Sequence, residues 1–296
     1  MMDPVTLLSV VKGGLILGAL YALMATGLSL VWTTLGIFNF AHGAFIALGA
    51  YVAWQFASAD AFGLPLGLAL AITCAVMFAV GAIIHFVLVK PFERRADVVL
   101  ISVITTLAGS AILENALLLI WGPRSKQIPD LATGAVEFSG FRLAISEVVL
   151  LLVVLGILIG LGLFLRYTKP GRSMRAVSQN REAAQLLGLD VPFYFALAFG
   201  LSAVTAGLAG VFVGTIRFMN PAMGAEPLMK ALIVVIFGGV ARFSSPIYAA
   251  FIVGLLEAFS IYIFGLYWAP AVLFLSMIVV LLIKPEGLFG NYQRTL

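Results

Sequence analysis

The residues best suited to chemistry cluster in one short polar stretch. Between 171 and 188 the chain reads GRSMRAVSQNREAAQLLG, which sets Arg172, Arg175 and Arg181 beside Asn180 and Glu182. The stretch predicts a helix over 172–187, begun after Lys169-Pro170-Gly171 and closed at Gly188, a C′ residue able to take positive φ. Met174, Val177, Ala184 and Leu187 then share one face, and the arginines crowd the rest. Positive charge in the first turns opposes the helix dipole, so Arg172 and Arg175 do not serve the helix itself. Two readings account for them: an acidic or anionic partner, or the anionic headgroups of a bilayer.

The other candidates are polar residues inside apolar sequence, where they are costly and often functional. Asn39, His42 and Gly43 form one such group. A broken helix there would free backbone groups to meet a zwitterionic solute; the simpler reading is that Asn39 caps the next helix and His42 bonds a carbonyl. His85 lies near a span end and is expected to snorkel. Glu114, Asn115 and Glu257 must each face a helix partner, a cavity or water. Glu226 and Lys230 stand at i, i+4 and predict a simple pair.

Several chemistries are excluded. The chain has no G-x-x-x-x-G-K-[ST] phosphate cradle, no His-Glu-x-x-His and no Gly-x-Ser-x-Gly. Its single cysteine, Cys74, rules out a disulfide framework within the chain. No basic cluster interleaved with aromatics favours nucleic acid, and a net charge of +4 fits cationic cytoplasmic loops. No catalytic residue and no bound cofactor are expected.

These residues must be positioned by an apolar scaffold. The chain is 62% hydrophobic and 10% charged, with a mean hydropathy of +1.14. Soluble domains average about a quarter charged. Backbone groups in lipid must be satisfied within helices or a closed barrel, and the apolar runs lack the period-two alternation of barrel strands. The runs fall near 5–33, 37–57, 64–89, 98–121, 146–165, 192–214, 228–240, 245–264 and 268–283. The start, Met1-Met2-Asp3-Pro4, lacks a basic n-region, so the first run is expected to stay as a helix. The run 228–240 is shorter than the roughly 20 residues a span needs. The expectation is an all-α, polytopic helical membrane protein with eight or nine transmembrane segments, one domain over 1–296.

Charge bias sets the orientation. With 167–190 in the cytoplasm, most of the 17 cationic residues fall inside: Lys90, Arg94, Arg95, Arg166, Lys169, Arg172, Arg175, Arg181, Arg242, Lys284 and Arg294. The N-terminus is then outside, with the loop 122–145. An internal repeat is one further reading. Asn39-Phe40-Ala41-His42-Gly43 and Asn220-Pro221-Ala222-Met223-Gly224 share Asn-x-Ala-x-Gly, 12 and 13 residues after Gly27 and Gly207. The orientation puts the two turns on opposite membrane sides, as an inverted repeat requires; such interruptions mark the solute route in many transporters. Chance similarity in a Gly/Ala-rich chain is the other reading. Gly14-x-x-x-Gly18, Gly156-x-x-x-Gly160 and Gly210-x-x-x-Gly214 permit close helix approach.

The stretch 171–188 resembles the cytoplasmic coupling loop of permease subunits in branched-chain amino-acid type ABC importers. Gly171, Arg172, Arg175, Ala176, Asn180, Ala184 and Gly188 match that pattern. Similar to the family as well are Gly18 to Leu23, Gly27, Gly36, Asn39 to Gly43, Asn220-Pro221, Lys230-Ala231, Gly238-Gly239, Gly254, Glu257 and Pro285 to Gly290. One departure is Gly239-Val240-Ala241-Arg242-Phe243-Ser244-Ser245-Pro246, where the family has a smaller-residue turn. The resemblance implies an ATPase-coupling role for Gly171, Arg172, Arg175, Ala176, Asn180, Arg181, Glu182, Ala184 and Gly188. It implies a translocation path past Asn39, His42, Gly43 and Asn220. It also implies a bacterial inner-membrane location, two ABC ATPase subunits that bind ATP, a second homologous permease and a periplasmic or extracellular solute-binding protein. Leu, Ile or Val is the implied solute, with urea, short amides and aromatic acids open. The reading from another class is a proton- or ion-coupled secondary transporter that uses Glu114 and Glu257 without an ATPase.

Overall fold

Each of the nine apolar runs folds into a helix in the computed structural model, which describes residues 3–93, 95, 97–129, 132, 134–138, 141–239 and 243–290. The helices are α1 (Pro4–Leu35), α2 (His42–Ala57), α3 (Leu66–Ile84), α4 (Val98–Trp121), α5 (Ile145–Tyr167), α8 (Val191–Ile216), α9 (Ala225–Gly238), α10 (Ser245–Phe264) and α11 (Ala269–Ile283). Two short polar helices, α6 (Lys169–Gln179) and α7 (Arg181–Leu186), lie between α5 and α8. Proline opens α8, α10 and α11 at N1 or N2, where its missing N–H is no loss.

Six helices are long and apolar enough to cross a membrane, α3 being counted with its extension to Phe92. Helices α2, α9 and α11 have 16, 14 and 15 residues, less than a full span needs. Leu119, Ile112, Leu152 and Ile159 stand outward with more than half their surface exposed, which suits lipid. This is a multi-pass membrane protein.

The loop 122–145 holds a hairpin not expected from the sequence. Strand β1 (Ala135–Phe138) pairs antiparallel with β2 (Phe141–Ala144), Val136 opposite Leu143 and Glu137 opposite Arg142.

Packing divides the chain into two units, and α1, α5 and α9 each contribute to both. The first comprises residues 1–26, 130–158 and 229–296. Within it Gly14 and Gly18 admit Leu255 and Phe251 of α10 against the backbone of α1. Lys12 Nζ ties the hairpin to α5, bonding the Arg142 carbonyl at 3.1 Å and the Glu147 carboxylate at 2.8 Å.

The second unit comprises residues 27–129 and 159–228 and is built around α8. Small residues let α2 and α3 approach it closely: Gly49 meets Gly207, Gly210 meets the Ile46 backbone, and Gly81 meets the Phe199 backbone. Of the three glycine pairs, Gly14 and Gly18 seat α10 and Gly210 seats α2, while Gly214 faces Ile128 and Met219 in the loops and Gly156 and Gly160 have open space beside them among the described residues.

Candidate functional site

The polar stretch after α5 folds as two helices, not one. Helix α5 ends at Tyr167, and Thr168 caps α6 by accepting the Gly171 N–H at 3.1 Å. Lys169, Pro170 and Gly171, expected to lie before the helix, are its first residues. Gly171 fits because a side chain there would lie 2.6 Å from Leu165 Cα. Met174 and Val177 are buried beneath α6, while Arg172 and Arg175 are exposed. Arg175 donates to the Arg166 carbonyl at 3.1 Å.

Asn180 makes the break. Its backbone is extended at φ −154°, ψ 109°, and its side chain accepts the Ala183 N–H at 2.9 Å, capping α7. Glu182 sits in the first turn of α7, where negative charge suits the dipole. Ala184 is buried and Ala176 half-buried. Gly188, at φ +80°, ends the turn while Leu189 N–H bonds the Ala184 carbonyl at 3.1 Å. Leu187, expected on the inward face with Met174, is 81% exposed, and Leu186 is 89% exposed. The break at Asn180 rotates the second segment, so a single helical wheel misplaces it.

Arg181 behaves unlike its neighbours. Its guanidinium donates to the Leu35 carbonyl at the end of α1 and lies over the Phe195 ring at 5.0 Å. Burial of this tip lowers its pKa from the ordinary arginine value, and the nearby Glu93 opposes the fall.

The second group of candidates lies deep in the α8-centred unit. After Leu35 the chain turns back over six residues and starts α2 at His42. Gly27 of α1 is level with this start, since a side chain there would lie 3.0 Å from the His42 ring. At 1.5 Å per residue, α2 therefore begins about 12 Å inward from the end of α1. His42 Nδ1 is 3.2 Å from Ser202 Oγ, about 17 Å along α8 from its own start. Asn39, His42 and Gly43 are fully buried. Asn39 Oδ1 accepts the Ala41 N–H at 3.1 Å, and Phe40 N–H bonds Thr106 Oγ1 at 3.2 Å. The cap of α2 itself is Ala41, with Asn39 forming the turn before it.

The second Asn-x-Ala-x-Gly turn has the same local geometry. Asn220 Oδ1 accepts the Ala222 N–H at 3.0 Å, as Asn39 does for Ala41. Met223 N–H bonds the Asn220 carbonyl at 3.1 Å, matching His42 N–H on Asn39 at 3.2 Å. Asn220 itself is exposed. The segment arrives from the far end of α8, held on the way by backbone bonds between Met219 and Lys126. It then reaches Gly43, where a side chain would lie 2.9 Å from the Gly224 carbonyl. The two turns thus touch at one depth, having entered from opposite ends of α8, whereas the charge bias sets the turns themselves on opposite sides.

The embedded carboxylates are satisfied locally. Glu257 Oε1 is 2.8 Å from Lys230 Nζ, and Tyr21 OH donates to Oε2. The i, i+4 spacing that links Lys230 to Glu226 gives no sign of Glu257. Glu226 lies 4.0 Å from Arg217. Glu114 accepts from Ser110 Oγ at 3.2 Å, and Asn115 donates to the Ala111 carbonyl at 2.8 Å. His85 does not snorkel. It is fully buried in a π-helical turn (His85–Val89), with Nε2 2.7 Å from Glu93 Oε1 and its ring against Phe199. In the unusual turn after Gly239, residues Val240, Ala241 and Arg242 lie outside the described residues, as do Arg94 and Arg294 of the charge bias.

Known proteins match this chain over nearly its whole length. Residues 10–281 fit the family described as branched-chain amino acid transport system / permease component. The high-affinity branched-chain amino acid permease protein BraD of Pseudomonas aeruginosa is 30% identical over 94% of each chain. A probable branched-chain amino acid permease protein, LivH of Methanocaldococcus jannaschii, is 31% identical over 95% of this chain and 92% of its own. The fructose import permease protein FruF of Bifidobacterium longum is 27% identical over 75% of this chain and 60% of its own. With the family's pattern extending through both the polar two-helix element and the paired turns, the chain belongs to the permease components of branched-chain amino acid transport systems.

Proposed function

We propose that this chain forms half of the translocation path of an ATP-driven importer and takes its power stroke through α6 and α7. The observation that carries this reading is the pairing of exposed Arg172 and Arg175 with exposed Leu186 and Leu187 on an element whose other side is seated by Gly171, Met174 and Val177. Exposed cations and exposed apolar side chains on one short polar element suit a protein partner of opposite charge. The partners are two ABC ATPases that bind ATP, a second homologous permease and an extracytoplasmic solute-binding protein, assembled in the cytoplasmic membrane.

The solute would pass the meeting point of the two turns. Helices interrupted from opposite ends at one depth are the arrangement by which inverted-repeat transporters expose backbone groups to a solute. Asn39, His42, Gly43 and Asn220 border that point, and α2 and α9 act as part-spans. A branched-chain amino acid is the solute, in keeping with the relatives BraD and LivH. The secondary-transporter reading is weaker, because Glu257 is paired with Lys230 and Tyr21 and Glu114 bonds Ser110 on its own helix, so the two carboxylates form no ladder.

The test is uptake of radiolabelled leucine into proteoliposomes. Uptake should need the ATPases, the second permease, the binding protein and ATP. Uptake by this chain alone along a proton gradient would support the secondary transporter instead.

A further inference from the structure

We infer that Arg181 is not a docking residue but the link that carries movement of α7 into the broken segment before α2. This rests on the coupling role proposed for α6 and α7 and assigns one of their arginines a different task. Arg172 and Arg175 stand on α6 and are exposed. Arg181, the first residue of α7, is exposed as a residue as well, but its guanidinium reaches the last carbonyl of α1.

The contact falls at the hinge between α1 and the turn that enters α2. The last carbonyls of a helix lack intrahelical partners and carry partial negative charge, so a guanidinium there is both hydrogen-bonded and favourably placed in the dipole. Gly36, at φ +73°, stops α1 next to this carbonyl, and Arg181 lies 3.9 Å from the position of a side chain at Gly36. Three residues later comes Asn39, whose side chain shapes the turn into α2. The Phe195 ring beneath the guanidinium belongs to the first turns of α8. Phe195 also lies 6.2 Å from the His85 ring, and His85 is held by Glu93. Arg181 therefore joins α7 to the end of α1 and to the start of α8. A shift of α7 relative to α8 must either break this contact or drag the Leu35–Asn39 segment with it.

The experiment uses the assembled importer in proteoliposomes, with Cys74→Ala and a reporter Phe38→Cys in the segment, half-buried against Trp32 in the native chain. Maleimide labelling of the reporter is compared without nucleotide and with ATP plus vanadate. With Arg181 the labelling rate should change on trapping. With Arg181→Ala that change should shrink about tenfold, the effect of losing a charged hydrogen bond, while the ATPases still co-purify; Arg181→Lys should keep most of it. If Arg181→Ala does not insert, Arg181→Met removes the donors and keeps the side-chain length. An unchanged response in the donor-free variant overturns the inference, and so does a wild-type response of zero with the ATPases bound. Loss of ATPase co-purification in the donor-free variant also overturns it, by making Arg181 a docking residue. Failure of the ATPases to bind the wild-type chain would instead refute the coupling role itself.

Discussion

Lys230 Nζ and Glu257 Oε1 lie 2.8 Å apart, with only 12% and 4% of the two side chains exposed. Tyr21 closes the other carboxylate oxygen. Removing one member of a buried ion pair leaves the other uncompensated and costs about 3–5 kcal/mol. Lys230→Met should therefore lower the unfolding midpoint of the purified protein sharply. Adding Glu257→Gln should restore most of the loss, because the stranded charge is gone. A single variant as stable as wild type would show that the pair does not matter to folding.

Gly43 and Gly224 make the closest test of the paired turns. A methyl group at Gly43 meets the Gly224 carbonyl at 2.9 Å, and backbone cannot swing aside as a side chain can. Gly43→Ala should cost roughly 1–3 kcal/mol by overpacking and should slow uptake. Gly156→Ala meets nothing within 4 Å in this chain and should gain roughly 0.5–1 kcal/mol from reduced backbone entropy. Equal tolerance at the two sites would mean that the turns do not pack as described.

Asn180 should be sensitive in a way its exposure hides. Asn180→Ala deletes the cap on α7 at a cost of about 1 kcal/mol, so α7 should fray and transport should fall. Asn180→Ser retains an oxygen acceptor and should retain transport. Uptake assays on the pair, with expression matched, decide it; equal rates would deny α7 a defined geometry in the working protein.

Charge and salt should separate docking from packing on α6. Arg175→Glu should abolish uptake while the chain still inserts, with Arg172→Glu acting in the same direction. Exposed ion pairs are screened within about 10 Å at 0.1 M salt, so ATPase retention should weaken as salt rises. Salt-independent retention would assign the docking to Leu186 and Leu187 alone, as measured by pull-down across a salt series.

Long-range order is legible in the sequence because lipid demands it. Every apolar run becomes a helix, since runs of that length have no other way to satisfy their backbone. The basic stretch and both Asn-x-Ala-x-Gly motifs are visible for the same reason, as polar residues out of place. The rest is set by partners distant in sequence. Nothing near Lys230 announces Glu257, and nothing near Arg181 announces Leu35. The Asn180 break has a local signal, because Asn is a strong cap former and Glu182 stands after it in the first turn. Treating the stretch as one helix is what puts Leu187 on the wrong face. The hairpin at 135–144 is hidden by its brevity, four residues per strand with a short alternation. His85 has the sequence context of an end-of-span snorkeller, but Glu93, eight residues on, folds back upon it.

The most direct measurement places a photo-crosslinking residue at Leu187 in the assembled importer and identifies what it captures. Capture of the ATPase subunit, lost when Arg175→Glu is introduced, is the result expected of a loop that receives the power stroke. Capture of lipid alone, in a complex that still hydrolyses ATP and transports solute, would contradict the account.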